Sequence, residues 1–205
     1  MTQVAERVVV KRLGRVDYAA AVAAMREFTA RRGPDTPDEL WLLEHPPVYT
    51  LGQAASDAHG PRAANGIPVV RAERGGEITY HGPGQAVLYT LVDLARRGIA
   101  VRRFVRMLED SVIELIGCGE RREGAPGVYV GGAKIAALGI RVSRGCAWHG
   151  LALNVDMDLA PFEAIDPCGC PGLRVTQTRD LGIAGGVEEL GGRLAAILAR
   201  RLEDA

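Results

Sequence analysis

The sequence predicts an α+β fold, with a mixed or largely antiparallel sheet flanked by helices. Apolar runs of strand length come in groups, and only three segments carry helical spacing. The chain has 205 residues, enough to bury roughly 70% of its unfolded surface around one core without disulfide staples. A single domain over residues 1–205 is the expectation.

Taken in order, Val8–Leu13 reads as a strand. Asp17 is placed to cap a helix that runs to about Arg32, where Gly33-Pro34 stops it. Leu40-Trp41-Leu42-Leu43 and Val48–Leu51 are short apolar runs separated by His45-Pro46-Pro47. Ile67–Arg71 and Ala86–Val92 are further strands. Val101–Ile116 places apolar residues at 101, 104, 105, 108, 112, 115 and 116, a helical stripe. Val128–Val130, Ala133–Val142 and Trp148–Val155 are strand-like, and Val187–Leu202 is a closing helix.

Composition excludes several classes. Hydrophobic residues make up 47% and charged residues 24%, an ordinary globular mixture rather than a disordered or fibrous one. Lys+Arg and Asp+Glu each number 25, so the net charge is zero; a general nucleic-acid binder carries a basic excess, and none is expected here. No segment approaches the ~18 consecutive apolar residues of a membrane span, and residues 1–12 lack the core of a signal peptide. Four cysteines (Cys118, Cys146, Cys168, Cys170) are too few for a disulfide framework. A reduced, cytoplasmic protein is the expectation. Two features stand out: glycine occupies 26 positions, and Lys11 and Lys134 are the only lysines.

The glycines cluster in three groups: Arg74–Gln85, Gly131–Lys134 and Asp166–Gly172. Each lets backbone approach a ligand closely with N–H groups free to donate, and each is equally readable as a turn. Familiar motifs fail. Gly127-x4-Gly132-Ala133-Lys134-Ile135 imitates a phosphate-binding loop, but its lysine comes one residue late and no Ser/Thr follows. Neither a dinucleotide fingerprint after a strand nor a G-x-S-x-G elbow is present. Cys146, His149, Cys168 and Cys170 are metal-ligand types, but their spacing is weak for zinc, and no metal is expected. Cys118 and Cys146 read as small buried hydrophobes.

Cys168 differs, because Pro167 and Gly169 hold it on a turn where a thiol can meet a reactant. A free thiol with a pKa near ~8.5 is about 3% thiolate at pH 7, so nucleophilic use needs a base or a nearby cation. Candidates are the four histidines, the arginines and Lys134. Arginine can lower a thiol pKa but cannot carry a proton, whereas lysine can do both.

Together, Arg74-Gly75-Gly76-x-x-Thr79-Tyr80-His81-Gly82-Pro83-Gly84-Gln85, Gly132-x-Lys134-Ile135-Ala136-Ala137-x-Gly139-x-Arg141, His149-Gly150-x-Ala152-Leu153-Asn154-Val155 and Pro167-Cys168-Gly169 resemble the lipoyl(octanoyl) transferase family. The resemblance runs from about Leu40 to Leu181. It implies a biotin/lipoate protein ligase-like fold, and an acyltransferase that moves octanoyl from acyl carrier protein to a lysine of a lipoyl domain without ATP or another cofactor. It implies Cys168 as thioester nucleophile and Lys134 as its partner. It places substrate contacts on Arg74-Gly75-Gly76-Glu77-Ile78-Thr79-Tyr80-His81, Ala137-Leu138-Gly139 and Gly150-Leu151-Ala152. The implied donor is octanoyl-acyl carrier protein; the implied acceptors are lipoyl domains of 2-oxoacid dehydrogenase complexes and the glycine cleavage H protein, with no nucleic acid or membrane. The alternative is an ATP-dependent lipoate or biotin ligase on the same fold. Tyr80 and Leu151 are expected to wall an acyl channel, His149 is the alternative base, and Arg96, Arg97, Arg102, Arg103 and Arg106 are expected to attract the acidic carrier.

Overall fold

The computed structural model describes residues 7–55, 61, 66–166 and 172–205. Cys168, with Pro167, Gly169 and Cys170, lies outside the described residues. The elements follow in the order β1 (Val9–Arg15), α1 (Tyr18–Arg31), β2 (Glu39–Glu44), β3 (Val48–Leu51), β4 (Val69–Arg71), β5 (Ile78–His81), β6 (Gln85–Asp93), α2 (Val101–Ile116), β7 (Gly127–Val130), β8 (Ala133–Ser143), β9 (Cys146–Asn154) and α3 (Val187–Glu203). Short 3-10 turns cover Ala160–Ala164 and Arg179–Leu181. Among the described residues no helix is long and apolar enough to cross a membrane.

Six strands form one sheet in the order β1-β2-β6-β9-β8-β7, and three form a second in the order β4-β3-β5. Both are mixed: β1/β2 and β3/β4 are parallel, and the other pairs antiparallel. The continuous apolar run of β2 reports burial on both faces. Leu40 and Leu42 pack with residues of α2 and α3, while Trp41 and Leu43 pack on the opposite face with Ala21 and Met25 of α1.

Helix ends follow their sequence signals. Asp17 Oδ1 accepts the Ala20 N–H at 3.1 Å to cap α1, and Gly117 closes α2 in the left-handed conformation at φ 72°, where a side chain would be strained. Two sequence expectations change. The glycine segment Arg74–Gln85, readable as a turn, contains a strand, β5, whose residues are all buried. Cys118, expected inside, is exposed just past that helix end.

Asp38 explains part of the arginine cluster. It is fully buried and takes ion pairs from Arg32, from Arg96 at 3.0 Å and from Arg97 at 2.5 Å. Burial pushes its carboxyl up, but the Asp93 N–H and the Arg97 and Arg32 guanidiniums outweigh burial and hold it below the usual carboxylate range. Arg96 and Arg97 are therefore not free surface for a partner; Arg102, Arg103 and Arg106 remain exposed on α2.

Candidate active site

Lys134 reaches its position through a fault in strand pairing. Tyr129 pairs with Lys134 and Val128 with Ala136, so Ile135 is one extra residue in β8. Cross-strand partners share a face, and strand residues alternate faces. The bulge therefore puts Lys134 on the face of Gly127, Ala137 and Gly139, and sends Ile135 into the core under α2 and α3. An unbroken strand would turn Lys134 the other way.

Glycine makes room for its side chain. Gly127 has φ +147°, and a Cβ there would lie 2.4 Å from Lys134 Cε and 3.0 Å from Nζ. Nζ stands 5.2 Å from the Tyr129 ring centroid, a cation–π distance, and the residue is 3% exposed. Glu109 of α2, buried as well, accepts the Gly127 N–H at 3.0 Å. Burial pushes its carboxyl up, while the Gly127 N–H, Arg121 and Lys134 pull it back. Sequence reading missed Gly127 and Glu109. Gly127 opens the phosphate-loop-like pattern, but that pattern carries no sign of its closeness to the lysine side chain.

The backbone of Lys134 is tied to residues just past the undescribed segment 167–171. Its N–H donates to Arg174 O at 2.8 Å, and its carbonyl accepts from Thr176 N–H at 3.0 Å. A buried polar chain runs from there across the molecule. Asn154 Nδ2 donates to Thr176 O (3.0 Å) and Gln85 Nε2 to Asn154 Oδ1 (3.0 Å). His81 Nδ1 donates in turn to Gln85 Oε1 (2.7 Å). The two motif residues Gln85 and Asn154 thus fasten β6, β9 and the 174–176 segment into one unit.

Beside Lys134's strand lies a cavity of about 40 Å³, lined by twelve of the fourteen residues expected to contact substrate. It takes Arg74, Gly76 to Thr79 and His81 from one side, and residues 137–139 and 150–152 from the other. Small residues make the floor: Ala137 pairs with Ala152, and Gly139 with Gly150. A Cβ on Gly139 would lie 2.8 Å from Gly75 O, and one on Gly150 2.1 Å from Leu88 O, so both close approaches require glycine. Gly75 does not line this cavity; its N–H donates to Ile140 O at 3.0 Å and seats the segment on β8. Tyr80 does not line it either, and packs with Tyr49, Met157 and Phe162 instead. Leu151 does.

The cavity's polar wall was only partly read from sequence. Arg74 is buried and donates to Thr50 O and Oγ1, both at 2.7 Å. Tyr18, Val87, Tyr89 and His149 join the lining. Burial, then the neighbouring charges of His45 and Arg74, push His81 down to about 3; burial and Arg74 do the same to His149. Both are neutral at pH 7. His45, also pushed down by burial, donates from Nδ1 to Val16 O at 2.6 Å and accepts the Tyr89 hydroxyl at Nε2 (2.7 Å), a structural role.

A family model described as lipoyl protein ligase A/B catalytic domain matches residues 17–196. The chain is 56% identical to a protein named Octanoyltransferase from Dechloromonas aromatica (strain RCB), covering 95% of this chain and 97% of that one. It is 59% identical to one of the same name from Thiobacillus denitrificans (strain ATCC 25259 / T1), covering 95% and 90%. Among solved structures, a bi-partite lipoate protein ligase from Thermoplasma acidophilum matches with TM-score 0.69 at 18% identity, over 96% of this chain and 92% of that one. Biotin protein ligase from Aquifex aeolicus matches with TM-score 0.59 at 11% identity, over 96% and 71%. At such identities the likeness bears on the fold alone.

Proposed function

We propose how catalysis proceeds in a chain that belongs to the lipoyl protein ligase A/B catalytic-domain family: octanoyl passes through a Cys168 thioester to a lipoyl-domain lysine, with Lys134 moving the protons. The chain is an acyltransferase that transfers octanoyl groups in protein lipoylation. The observation that carries this activity is its 56–59% identity, over almost its whole length, to relatives named Octanoyltransferase. The ATP-dependent ligase alternative is not favoured, because the ligases it resembles share the fold at only 11–18% identity.

The acyl chain enters the cavity over the small-residue floor, with its thioester carbon toward Lys134. What supports Cys168 as nucleophile is the resemblance in its motif and the chain path: it is six residues from Arg174, whose carbonyl is bonded to the Lys134 N–H. In the first half-reaction the Lys134 amine takes the Cys168 proton and the sulfur attacks the thioester carbonyl. The C–S bond to the carrier breaks, and Lys134 returns the proton to the departing pantetheine sulfur. In the second, the acceptor lysine attacks the acyl-enzyme, Lys134 takes a proton from its nitrogen, and the Cys168 sulfur leaves with that proton. An acceptor amine with pKa near ~10.4 is under ~0.1% neutral at pH 7, so this assistance matters. A thioester already carries the free energy that amide formation needs, and ATP is not required.

The donor in this reading is octanoyl-acyl carrier protein. The acceptors are the lipoyl domains of 2-oxoacid dehydrogenase complexes and the glycine cleavage H protein. Arg102, Arg103 and Arg106 offer the acidic carrier a basic surface on α2. Incubation with octanoyl-carrier and a lipoyl domain, without ATP, should yield octanoylated domain. Lys134→Ala should lower the rate at least 10²-fold, the usual scale for a general base, and remain folded by circular dichroism. A strict ATP requirement would overturn the reading.

A further inference from the structure

The hairpin that carries Lys134 has two arginines folded back over its tip. Gly131 and Gly132 join β7 to β8 with φ +55° and +81°, the two left-handed residues of a tight hairpin turn. Arg174 Nη2 donates to Gly131 O at 2.9 Å, and Arg122 Nη2 to Gly132 O at 3.3 Å. The turn accounts for the glycines but not for the arginines. Gly131 is exposed, so water can satisfy its carbonyl, and holding two long side chains over the turn costs rotamer freedom.

The two guanidiniums converge on one open space. A Cβ on Gly132 would stand 3.6 Å from Arg122 Nη2 and 3.8 Å from Arg174 Nη2, and apart from its chain neighbours it meets no other atom of the described residues within 4 Å. Arg122 is supported from behind by the Tyr129 ring, 4.2 Å from its Cζ. Its ion-pair partner, the exposed Glu120, stands 3.8 Å away, too far for a hydrogen bond. Two guanidiniums around a gap, one laid on an aromatic ring and neither hydrogen-bonded to a carboxylate among the described residues, suit a phosphate group. Arginine grips phosphate through paired, charge-assisted N–H donors.

The position selects one substrate. Lys134 Nζ lies 5.2 Å from the same Tyr129 ring, so its amine and the Arg122 guanidinium are within ~10 Å of each other across that ring. Arg174 is tied to the same strand, since its carbonyl accepts the Lys134 N–H. A phosphopantetheine arm runs ~15 Å from sulfur to phosphorus when extended, at the reach of roughly four residues of chain. With its thioester at Lys134, its phosphate comes within reach of both arginines. The lipoyl domain brings no phosphodiester. The basic face of α2 leads to the same place: Arg102 and Arg106 are four residues apart on one face, and Asp110, one turn further, pairs with Arg121 at 2.5 Å, next to Arg122. We propose that Arg122 and Arg174 bind the phosphate of the acyl carrier's phosphopantetheine arm. The site rests on the acyl-transfer reading and gives it a donor-specific anchor: the carrier lies along α2, its phosphate sits on the hairpin tip, and the arm passes Tyr129 to reach Lys134.

Octanoyl-pantetheine and octanoyl-phosphopantetheine differ only in that phosphate. The wild type should use the phosphorylated donor with kcat/KM at least about tenfold higher at low salt, the scale of charge-assisted hydrogen bonds, and added salt should shrink the advantage. In Arg122→Gln and in Arg174→Gln, kcat/KM for octanoyl-phosphopantetheine and octanoyl-carrier should fall about fivefold or more, through KM, while that for octanoyl-pantetheine stays unchanged. Equal losses with both small donors, or no loss with the phosphorylated one, overturn the proposal. The wild-type comparison needs no variant, so a ratio near one overturns it even where a substitution prevents folding. Failure of the wild type to transfer octanoyl from any of the three donors overturns the acyl-transfer reading instead.

Discussion

Gly127 shows how much of a buried lysine's position can belong to a neighbour. Lys134 passes so close to its Cα that a methyl group would overlap the lysine Cε at 2.4 Å, and its φ of +147° is itself unfavourable for other residues. Gly127→Ala should therefore cost about 1–3 kcal/mol of stability and displace Lys134. We expect kcat for octanoyl transfer to fall at least about tenfold, since small misplacements of a reacting group are costly in rate. Urea unfolding with parallel kinetics checks both halves. Full activity in a destabilised variant would mean that Gly127 supports the fold and not the lysine.

At the scale of elements, most of the architecture was legible because local signals agreed with the tertiary fold. The Asp17 cap, the apolar stripe of α2 and the continuous apolar run of β2 each appear where the sequence predicts. β5 escaped because Ile78–His81 follows a pair of glycines and reads as their loop; only its pairing with β3 makes it a strand. The bulge at Ile135 escaped for a deeper reason. Register is a property of two strands, and Ala133–Val142 carries no local mark of an extra residue. The site divides in the same way. Residues in the glycine motifs were identified and twelve of them line one cavity. Tyr18 and Tyr89 come from elements distant in sequence and reach that cavity only through the fold, while Glu109 of α2 reaches the Lys134 hairpin through the Gly127 N–H.

Across the whole molecule, buried ionisable groups make acid stability a shared property. A histidine titrates near ~6.5 in an unfolded chain, whereas His81 and His149 are held down to about 3 by burial first. The unfolded state therefore binds more protons between these values, and stability rises with pH across that window. It is fully present above about pH 6.5 and declines as the pH falls toward 3. Each of the two should account for on the order of 2 kcal/mol by pH 5, with His45 acting in the same direction. Asp38, held below the usual carboxylate range by Asp93 N–H, Arg97 and Arg32, adds a further loss only at lower pH. The urea midpoint should thus drop clearly between pH 7 and pH 5, before carboxylates titrate. A flat midpoint over that interval would mean the histidines are not held neutral.

The proposed acyl transfer is a covalent relay, in which Cys168 carries the acyl group and Lys134 carries the protons. Its most direct measurement is the intact mass of the protein after incubation with octanoyl-carrier and no acceptor. The mass should rise by one octanoyl group, removed by hydroxylamine, absent in Cys168→Ala and discharged when a lipoyl domain is added. An unmodified Cys168 during active turnover, or an adduct that the lipoyl domain cannot discharge, would contradict it.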